Sequence, residues 1–494
     1  KDLGIYSDEK LLKYLRNEAI EYALCHGLVM REKTGSLAFV HAPFTLLPAK
    51  LPKEAYVDGV SVSNAFSSLV DSIARHPSYI PQVLADVGKN DDYTRRLLSI
   101  LSLVNQQAER KQNVTLGLFR SDYMLQMKDG RYSNPTFLQV ENNTIAASFG
   151  CLSTRVAELH RLLIEKSENM GIKNYGYNKS NLPKNNVLKL MAEAMATACN
   201  EYLNVEYPND LRGTIRKRIA VLMLVQPGEA NAADQRMLEY QLRSDFGIPM
   251  IRKTFKEVHT QLQDASTDGK SLIIDGYEIG LVYFRAGYTP RDLPTEVEWK
   301  AYQKIELSRA IKCPCVAYHL AGTKKIQQML SIPGELEKFV AEKDAKVLRN
   351  FFADQFSLSE PLEDQSKAAI KDAVSNPGGY VLKPQREGGG NNLWGQEMVD
   401  ALSLKTMTKD VRSAYILMRK IVQRPFIAAL MRNSTVSVGL AEKEVGIYAS
   451  FIGGGSAPYG KVMGHLMRTK LVGTNEGGVA SGYAVLDSPI LVDG

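Results

Sequence analysis

The residues best equipped for chemistry lie between Tyr380 and Trp394, which read Tyr-Val-Leu-Lys-Pro-Gln-Arg-Glu-Gly-Gly-Gly-Asn-Asn-Leu-Trp. Three consecutive glycines, Gly388 to Gly390, carry no Cβ, so their N–H groups can approach an anion closely. Lys383 ahead of them can neutralise phosphate oxygens, and Glu387 beside them can hold Mg2+, a hard cation that takes oxygen ligands. Such a stretch suits a metal-bound polyphosphate. A glycine hairpin tip flanked by solvated charges has the same letters, so this segment alone leaves both readings open. The chain contains no Walker Gly-x-x-x-x-Gly-Lys-Ser/Thr, and the triplet does not fit Gly-x-Gly-x-x-Gly, so phosphate chemistry here belongs to another nucleotide fold.

Further candidates are spread along the chain. Arg120, Arg285, Arg468, Lys324, Lys383 and Lys470 fall at predicted strand ends or in small-residue loops, whereas Glu141, Asn143 and Glu387 offer oxygens of the kind Mg2+ takes. Arginine forks pair with carboxylates bidentately, and lysines act as point charges on phosphates. A site holding ATP, two or more carboxylates and a metal needs this inventory, although each residue taken singly also suits a solvated surface. Nucleophilic catalysis has little support. There is no Gly-x-Ser-x-Gly elbow, and seven histidines, among them His465 beside a candidate cluster, show neither a His-Glu-x-x-His nor a paired metal spacing. Cys313-Pro314-Cys315 lacks the second ligand pair that zinc requires.

These groups must be positioned by a mixed α/β fold. The first hundred residues read mostly helical, with a Pro-punctuated loop at 41–48. Val114–Phe119 reads as a strand ending in Arg120-Ser121-Asp122-Tyr123. Thr136–Val140 reads as a second strand ending in Glu141 to Gly150, and polar clusters past strand ends are where α/β folds place ligands. Residues 218–225, 232–246 and 248–252 predict strand, helix and strand, and Asp275-Gly276 joins a hairpin over 272–284. The domain boundaries follow: 1–216 as an N-terminal helical part, 217–323 as an inserted doubly wound domain, and 324–494 as a further part. Residues 325–376 read helical, and 414–418 and 436–450 read as strands.

Composition narrows the class. With 494 residues, 44% hydrophobic and 23% charged, the chain is ordinary for a globular protein of several domains. Its net charge of +7 is spread out, with Arg216-Lys217-Arg218 the densest cluster, which gives no nucleic-acid groove. Five scattered cysteines argue for a reducing, cytoplasmic setting. The longest apolar run, Ile219–Val225, is too short to cross a membrane. The acidic first residues are no signal peptide, but the absent initiating Met leaves organelle targeting by a removed presequence open.

Lys383-Pro-Gln-Arg-Glu-Gly-Gly-Gly-Asn-Asn-Leu393 resembles the glycine-rich loop of the eukaryotic glutathione synthetases. The likeness extends through Ala42-Pro-Phe-Thr-Leu46, Arg120-Ser-Asp-Tyr-Met124, Glu141 to Phe149, Tyr283-Phe-Arg to Pro290, Leu320-Ala-Gly-Thr-Lys-Lys325, His465 to Lys470 and Gly477-Gly-Val-Ala480. The resemblance implies an ATP-grasp-like core shared by 1–216 and 324–494, with an inserted Rossmann-like substrate domain and a Gly-rich lid over about 383–420. It also implies a homodimer joining γ-glutamylcysteine to glycine with ATP, two Mg2+ ions and an acyl-phosphate intermediate. A homologous ligase using β-alanine or another amine, and a catalytically silent nucleotide- or peptide-binding protein, are the alternatives. By the same resemblance Arg120, Lys383, Gly388, Gly389 and Arg468 are catalytic, and Glu141, Asn143 and Glu387 hold the metal. ATP is surrounded by Glu141, Lys324, Lys383, Glu387, Asn392, Trp394, Met418, Arg419, Lys420, Ile421, Glu444, Lys470 and Glu476. The peptide and glycine are held by Arg120, Ala146, Ser148, Glu229, Asn231, Gln235, Arg285, Tyr288, Arg468, Val479 and Ala480. Four positions depart from the family pattern: Ala146 stands where a serine is usual, Trp394 where a tyrosine is, Arg419 where an acid is, and Glu476 where an aspartate is.

Overall fold

A computed structural model describes residues 4–32, 38–107, 112–128, 131–208, 215, 218–262, 270–385, 391–455, 458–475 and 477–493. Its first helix, Glu9–Cys25, is capped by Asp8, whose carboxylate accepts from the N–H groups of Lys10 and Leu11 at 3.0 Å. Four short strands, β1 (Val29–Arg31), β2 (Phe39–His41), β3 (Phe44–Thr45) and β4 (Ala49–Pro52), interrupt the helical start before helices Lys53–Arg75 and Asp92–Gln106. Two long strands follow, β5 (Thr115–Lys128) and β6 (Arg131–Asn143). Both overrun their expected ends, so Arg120 to Tyr123 and Glu141 to Asn143 lie inside strands. The ladder explains this: β5 is hydrogen-bonded on both sides, and pairing with two neighbours persists through polar residues whose side chains alternate out of the sheet.

Helices Gly150–Lys166 and Val187–Glu206 lead to a second sheet made of β7 (Ile219–Leu224), β8 (Met250–Lys253), β9 (Ile273–Ile274), β10 (Tyr277–Phe284) and β11 (Ile311–Cys313). Its order is β11-β10-β7-β8, all parallel, with β9 antiparallel on β10. The expected helix between β7 and β8 is present as Ala232–Phe246. Helices Lys324–Leu330, Glu342–Arg349 and Asp364–Ser375 occupy the region read as helical, and a three-residue strand, β12 (Gln355–Ser357), breaks it. β12 joins β13 (Tyr380–Pro384) and β14 (Tyr415–Arg419) in a small antiparallel sheet ordered β12-β14-β13. The remaining strands are β15 (Phe426–Arg432), β16 (Thr435–Gly453), β17 (Tyr459–Leu471), β18 (Val485–Asp487) and β19 (Pro489–Val492).

The main sheet has the order β15-β3-β18-β17-β16-β5-β6. Along β16 the two faces have different partners. Val445, Ile447 and Phe451 join Tyr56, Val62 and Phe66 of helix Lys53–Arg75 in one buried cluster. On the other face Tyr448 and Ile452 pack with Val187 and Met191 of helix Val187–Glu206. Toward the start of β16 this second face bears Glu442 and Glu444, which line a cavity.

Candidate active site

Period-two alternation on four adjacent strands puts Arg120 and Asp122 of β5, Glu141 and Asn143 of β6, Glu444 of β16 and Arg468 of β17 on one face. Register completes the grouping, since Arg120 lies opposite Asn143, Asp122 opposite Glu141, and Glu444 opposite Arg468. Asp122, 1% exposed, is the hub of this face. Arg120 donates to it from Nε (2.6 Å) and Nη2 (2.9 Å), Arg468 from Nη2 (2.9 Å) and Asn143 from Nδ2 (2.9 Å). Arg468 also donates to Glu444 Oε1. The arginine stem of Arg120 and the Asp122 carboxylate cross directly over Gly446, where a Cβ would stand 2.5 Å from Asp122 Oδ1 and 2.7 Å from Arg120 Cδ. A glycine there is a packing requirement, because any side chain would push both groups aside.

Beside the hub, Lys324 Nζ donates to Glu141 Oε2 at 2.9 Å, and Lys383 Nζ donates to the Val140 carbonyl at 3.3 Å. Burial opposes a charge on Glu141, but Lys324, Lys383 and Arg468 outweigh it and hold the carboxyl well below the usual range. Glu444 is pushed the other way by burial, with Asp122 and Glu141 as like charges, even though Arg468 faces it. Asn143 presents its NH2 to two acceptors, Asp122 and the Arg120 carbonyl, which turns its amide oxygen outward as a further hard ligand. The described residues hold no group of three or more His, Cys, Asp or Glu side chains able to bind a metal. A cation here would therefore combine Glu141 and Asn143 with phosphate oxygens or with residues outside the described set, a mode that suits Mg2+.

The cavity has a volume of about 570 Å3 and continues away from the charged face into an apolar slot. Val381 of β13 with Met418 and Ile421 at the end of β14 form one wall, and Met124, Leu138, Val140 and Trp394 pack against them. The slot suits a flat heterocycle, and the cations beside it suit phosphates. Arg419, at the slot's edge, points its guanidinium to Asp354 (3.3 Å) and Asp372 (3.7 Å) and lies 4.9 Å from the Tyr380 ring centroid. Asn392, Lys420 and Lys470 line the cavity as well, and so do Ala146, Ser148 and Tyr288 near the hub and Val479 and Ala480 in the loop after β17. Ala146 adopts a positive φ of 50° within the β6-to-helix turn. Glu387, Gly388, Gly389 and Glu476 lie outside the described residues.

Glu229, Asn231, Gln235 and Arg285 do not line the cavity. They gather past the ends of β7 and β10, the edge where open parallel sheets place ligands. Gln235 Nε2 donates to Glu229 Oε2 at 2.7 Å, and Arg285 Nη1 donates to Asp234 Oδ2 at 3.1 Å. Asp234 also accepts from the N–H groups of Phe149, Cys151 and Leu152 at 3.0, 2.9 and 3.2 Å, which satisfies the amino end of helix Gly150–Lys166. The adjoining Ser148 carbonyl accepts from Arg120 Nη1 at 3.1 Å and from the Tyr448 hydroxyl, tying this cluster to the hub. Sequence reading missed Asp122, Asp234 and Tyr448. Asp122 had a signal, since it stands two residues from Arg120 on a strand and therefore on its face. His465 is a packing residue, bonded to the Tyr56 hydroxyl at 3.1 Å and pushed down to about 3 by burial.

The family model for the eukaryotic glutathione synthase ATP-binding domain matches residues 9–491. The chain is 38% identical to glutathione synthetase of Dictyostelium discoideum over 98% of its own length and 100% of that protein's. It is 38% identical to the Homo sapiens glutathione synthetase, covering 98% of each chain. A chloroplastic glutathione synthetase of Solanum lycopersicum is also 38% identical, over 98% of this chain and 85% of that one. Among solved structures, a glutathione synthetase-like effector from Globodera pallida in its apo form superposes with a TM-score of 0.74 over 98% of both chains, at 22% identity, a likeness of fold.

Proposed function

The chain belongs to the eukaryotic glutathione synthase family, and from that premise we propose that it ligates γ-glutamylcysteine to glycine, consuming ATP and releasing ADP and phosphate. The observation that carries the reading is the convergence of Arg120, Arg468, Lys324 and Lys383 on one cavity that also has a nucleobase-sized apolar slot. The relatives share one activity in their names, so neither a β-alanine acceptor nor a silent binder is favoured.

The adenine lies between Val381, Met418, Ile421 and Trp394, and Lys324, Lys383 and Lys470 neutralise the phosphates. Arg120 and Arg468, locked by Asp122, hold the substrate carboxylates in line with the γ-phosphate, a positioning that chemistry of this kind depends on. The cysteinyl carboxylate attacks the γ-phosphorus, the bond to ADP breaks, and an acyl phosphate forms. The glycine amine, held near Val479 and Ala480, then attacks the acyl carbon, phosphate leaves, and the amine's proton passes to solvent. Glu141 and Asn143, with Glu387, are the residues that would hold two Mg2+ ions, which supply charge neutralisation at the transferring phosphoryl. The lid over about 383–420 keeps water from the acyl phosphate. Glu229, Asn231, Gln235 and Arg285 hold the γ-glutamyl end from the inserted 217–323 domain.

The functional unit is a homodimer. β2 exposes Phe39 and Val40, and Tyr240 is exposed on helix Ala232–Phe246, which touches β1; such apolar surface suits a second copy. None of the five cysteines is in a disulfide, which fits a reducing, cytoplasmic setting, and no helix among the described residues is long and apolar enough to cross a membrane. The test is ADP release with γ-glutamylcysteine plus glycine, plus β-alanine, and with each substrate omitted. Turnover that requires both γ-glutamylcysteine and glycine is expected. ADP release independent of the acceptor, or a preference for β-alanine, would overturn the assignment.

A further inference from the structure

A second cavity, of about 290 Å3, opens on the opposite face of the main sheet and shares no lining residue with the first. Alternation along β16 creates the pair, because Glu442 and Glu444 line the catalytic cavity while Lys443 between them lines the other. Tyr6, Tyr175, Tyr177 and Phe426 supply aromatic walls, and Lys50 stands with Lys443. The ammonium of Lys443 lies 4.6 Å from the Phe426 ring centroid and donates to the Lys50 carbonyl. That of Lys50 lies 5.5 Å from the Tyr177 centroid and donates to the Tyr175 carbonyl at 2.7 Å.

Each ammonium has three donors, and among the described residues each of these two has a single hydrogen-bond acceptor. Asp487, the carboxylate whose charge Lys443 feels, is committed to Thr469 Oγ1 at 2.6 Å and to the N–H groups of Ser488 and Ala49 at 2.7 and 3.3 Å. Lys443 is half-buried and Lys50 is exposed at the mouth of the cavity, and neither has a carboxylate at salt-bridge distance among the described residues, so the Lys443 charge is costly to keep. Accordingly, burial brings the Lys443 ammonium down to about 8. Catalysis as derived above uses neither lysine.

We propose that this cavity is a second ligand site, for a small organic anion whose carboxylate or phosphate bridges Lys50 and Lys443 while its apolar body lies against Tyr6, Tyr177 and Phe426. The space equals about ten water volumes, enough for a ring or short chain bearing one anionic group. An anion there supplies the counter-charge that neither lysine has among the described residues, and the aromatic walls select against inorganic ions.

The test is calorimetric titration of phenyl phosphate, and separately of benzoate, into the whole protein with the catalytic cavity saturated by a non-hydrolysable ATP analogue. One saturable site is expected, tightest for whichever anionic group the lysines prefer. Lys443→Met and Lys50→Met should each weaken it at least tenfold, and Lys443→Arg should keep it within about threefold. Melting temperature, analogue binding and turnover should stay at wild-type values in all three variants, which separates lost binding from lost folding. Absence of saturable binding to the wild type, or equal binding to both Met variants, overturns the proposal. Equal binding of inorganic phosphate would likewise overturn it, since the aromatic walls would then contribute nothing.

Discussion

The two walls of the catalytic cavity are built on opposite principles. The wall on the seven-stranded sheet is ionic and interlocked: Asp122 alone receives four hydrogen bonds from three side chains, on strands paired to both sides. The wall on the three-stranded sheet is apolar, with Val381, Met418 and Ile421 offering contact area. A buried ionic network fails when one member is lost, because the rest are left charged and unpaired. An apolar wall loses only the contacts removed. The first wall should therefore be intolerant of substitution and the second forgiving.

Asp122→Asn is the severest challenge to that contrast. It presents an NH2 group to Arg120 or Arg468, so stability should fall by about 3 kcal/mol and turnover by roughly a hundredfold, read by urea unfolding and steady-state kinetics. ATP-analogue affinity should hold, and a parallel loss of nucleotide binding would show that the two walls are not separable. Glu141→Gln comes next. The native Glu141 carboxyl titrates below its unfolded value, so its bond to Lys324 stabilises fully above the unfolded carboxylate pKa of about 4.3 and is lost as pH falls through the lower folded value. Wild type should thus exceed Glu141→Gln in stability at pH 7 by about 2 kcal/mol, with the gap closing in acid below about pH 4. A gap that widens in acid would refute the ionic account. Gly446→Ala adds one methyl beneath Arg120 and Asp122 and should cost about 1–2 kcal/mol and around tenfold in turnover, with KM for ATP unchanged. On the forgiving wall, Arg419→Glu should change stability by under about 0.5 kcal/mol and leave KM for ATP within twofold, since its guanidinium reaches exposed acids on the outside of the slot. A larger rise in KM would place its side chain on the nucleotide.

Of the fold, the parts with local signals were legible. Helix Ala232–Phe246 ends at Gly247, in a left-handed conformation that glycine adopts without cost, and its limits were read correctly. β5 and β6 were cut short because Arg120, Asp122, Glu141 and Asn143 look like loop residues when only local polarity is weighed. β12 escaped notice, since three residues carry no period. Of the candidate site, the residues of the resemblance that line the cavity were named in advance. Asp122 stands within the Arg120–Met124 motif and Asp234 within a helix, and neither shows its role in the sequence, because a carboxylate's worth here lies in its partners.

By itself the sequence determined the types: glycines beside a lysine, carboxylates, and dispersed arginines sufficient for ATP and acid substrates. It determined the family as well, since motifs in one order over the whole length leave little freedom. Only the tertiary structure decided which of these groups share a surface. Arg120 and Glu141 come from the consecutive strands β5 and β6, Glu444 and Arg468 from β16 and β17, two pairs far apart in sequence, and hydrogen-bond register sets them on one face. The same register decided that Lys443, one residue from Glu444, belongs to a different cavity, because adjacent residues on a strand point to opposite sides of its sheet.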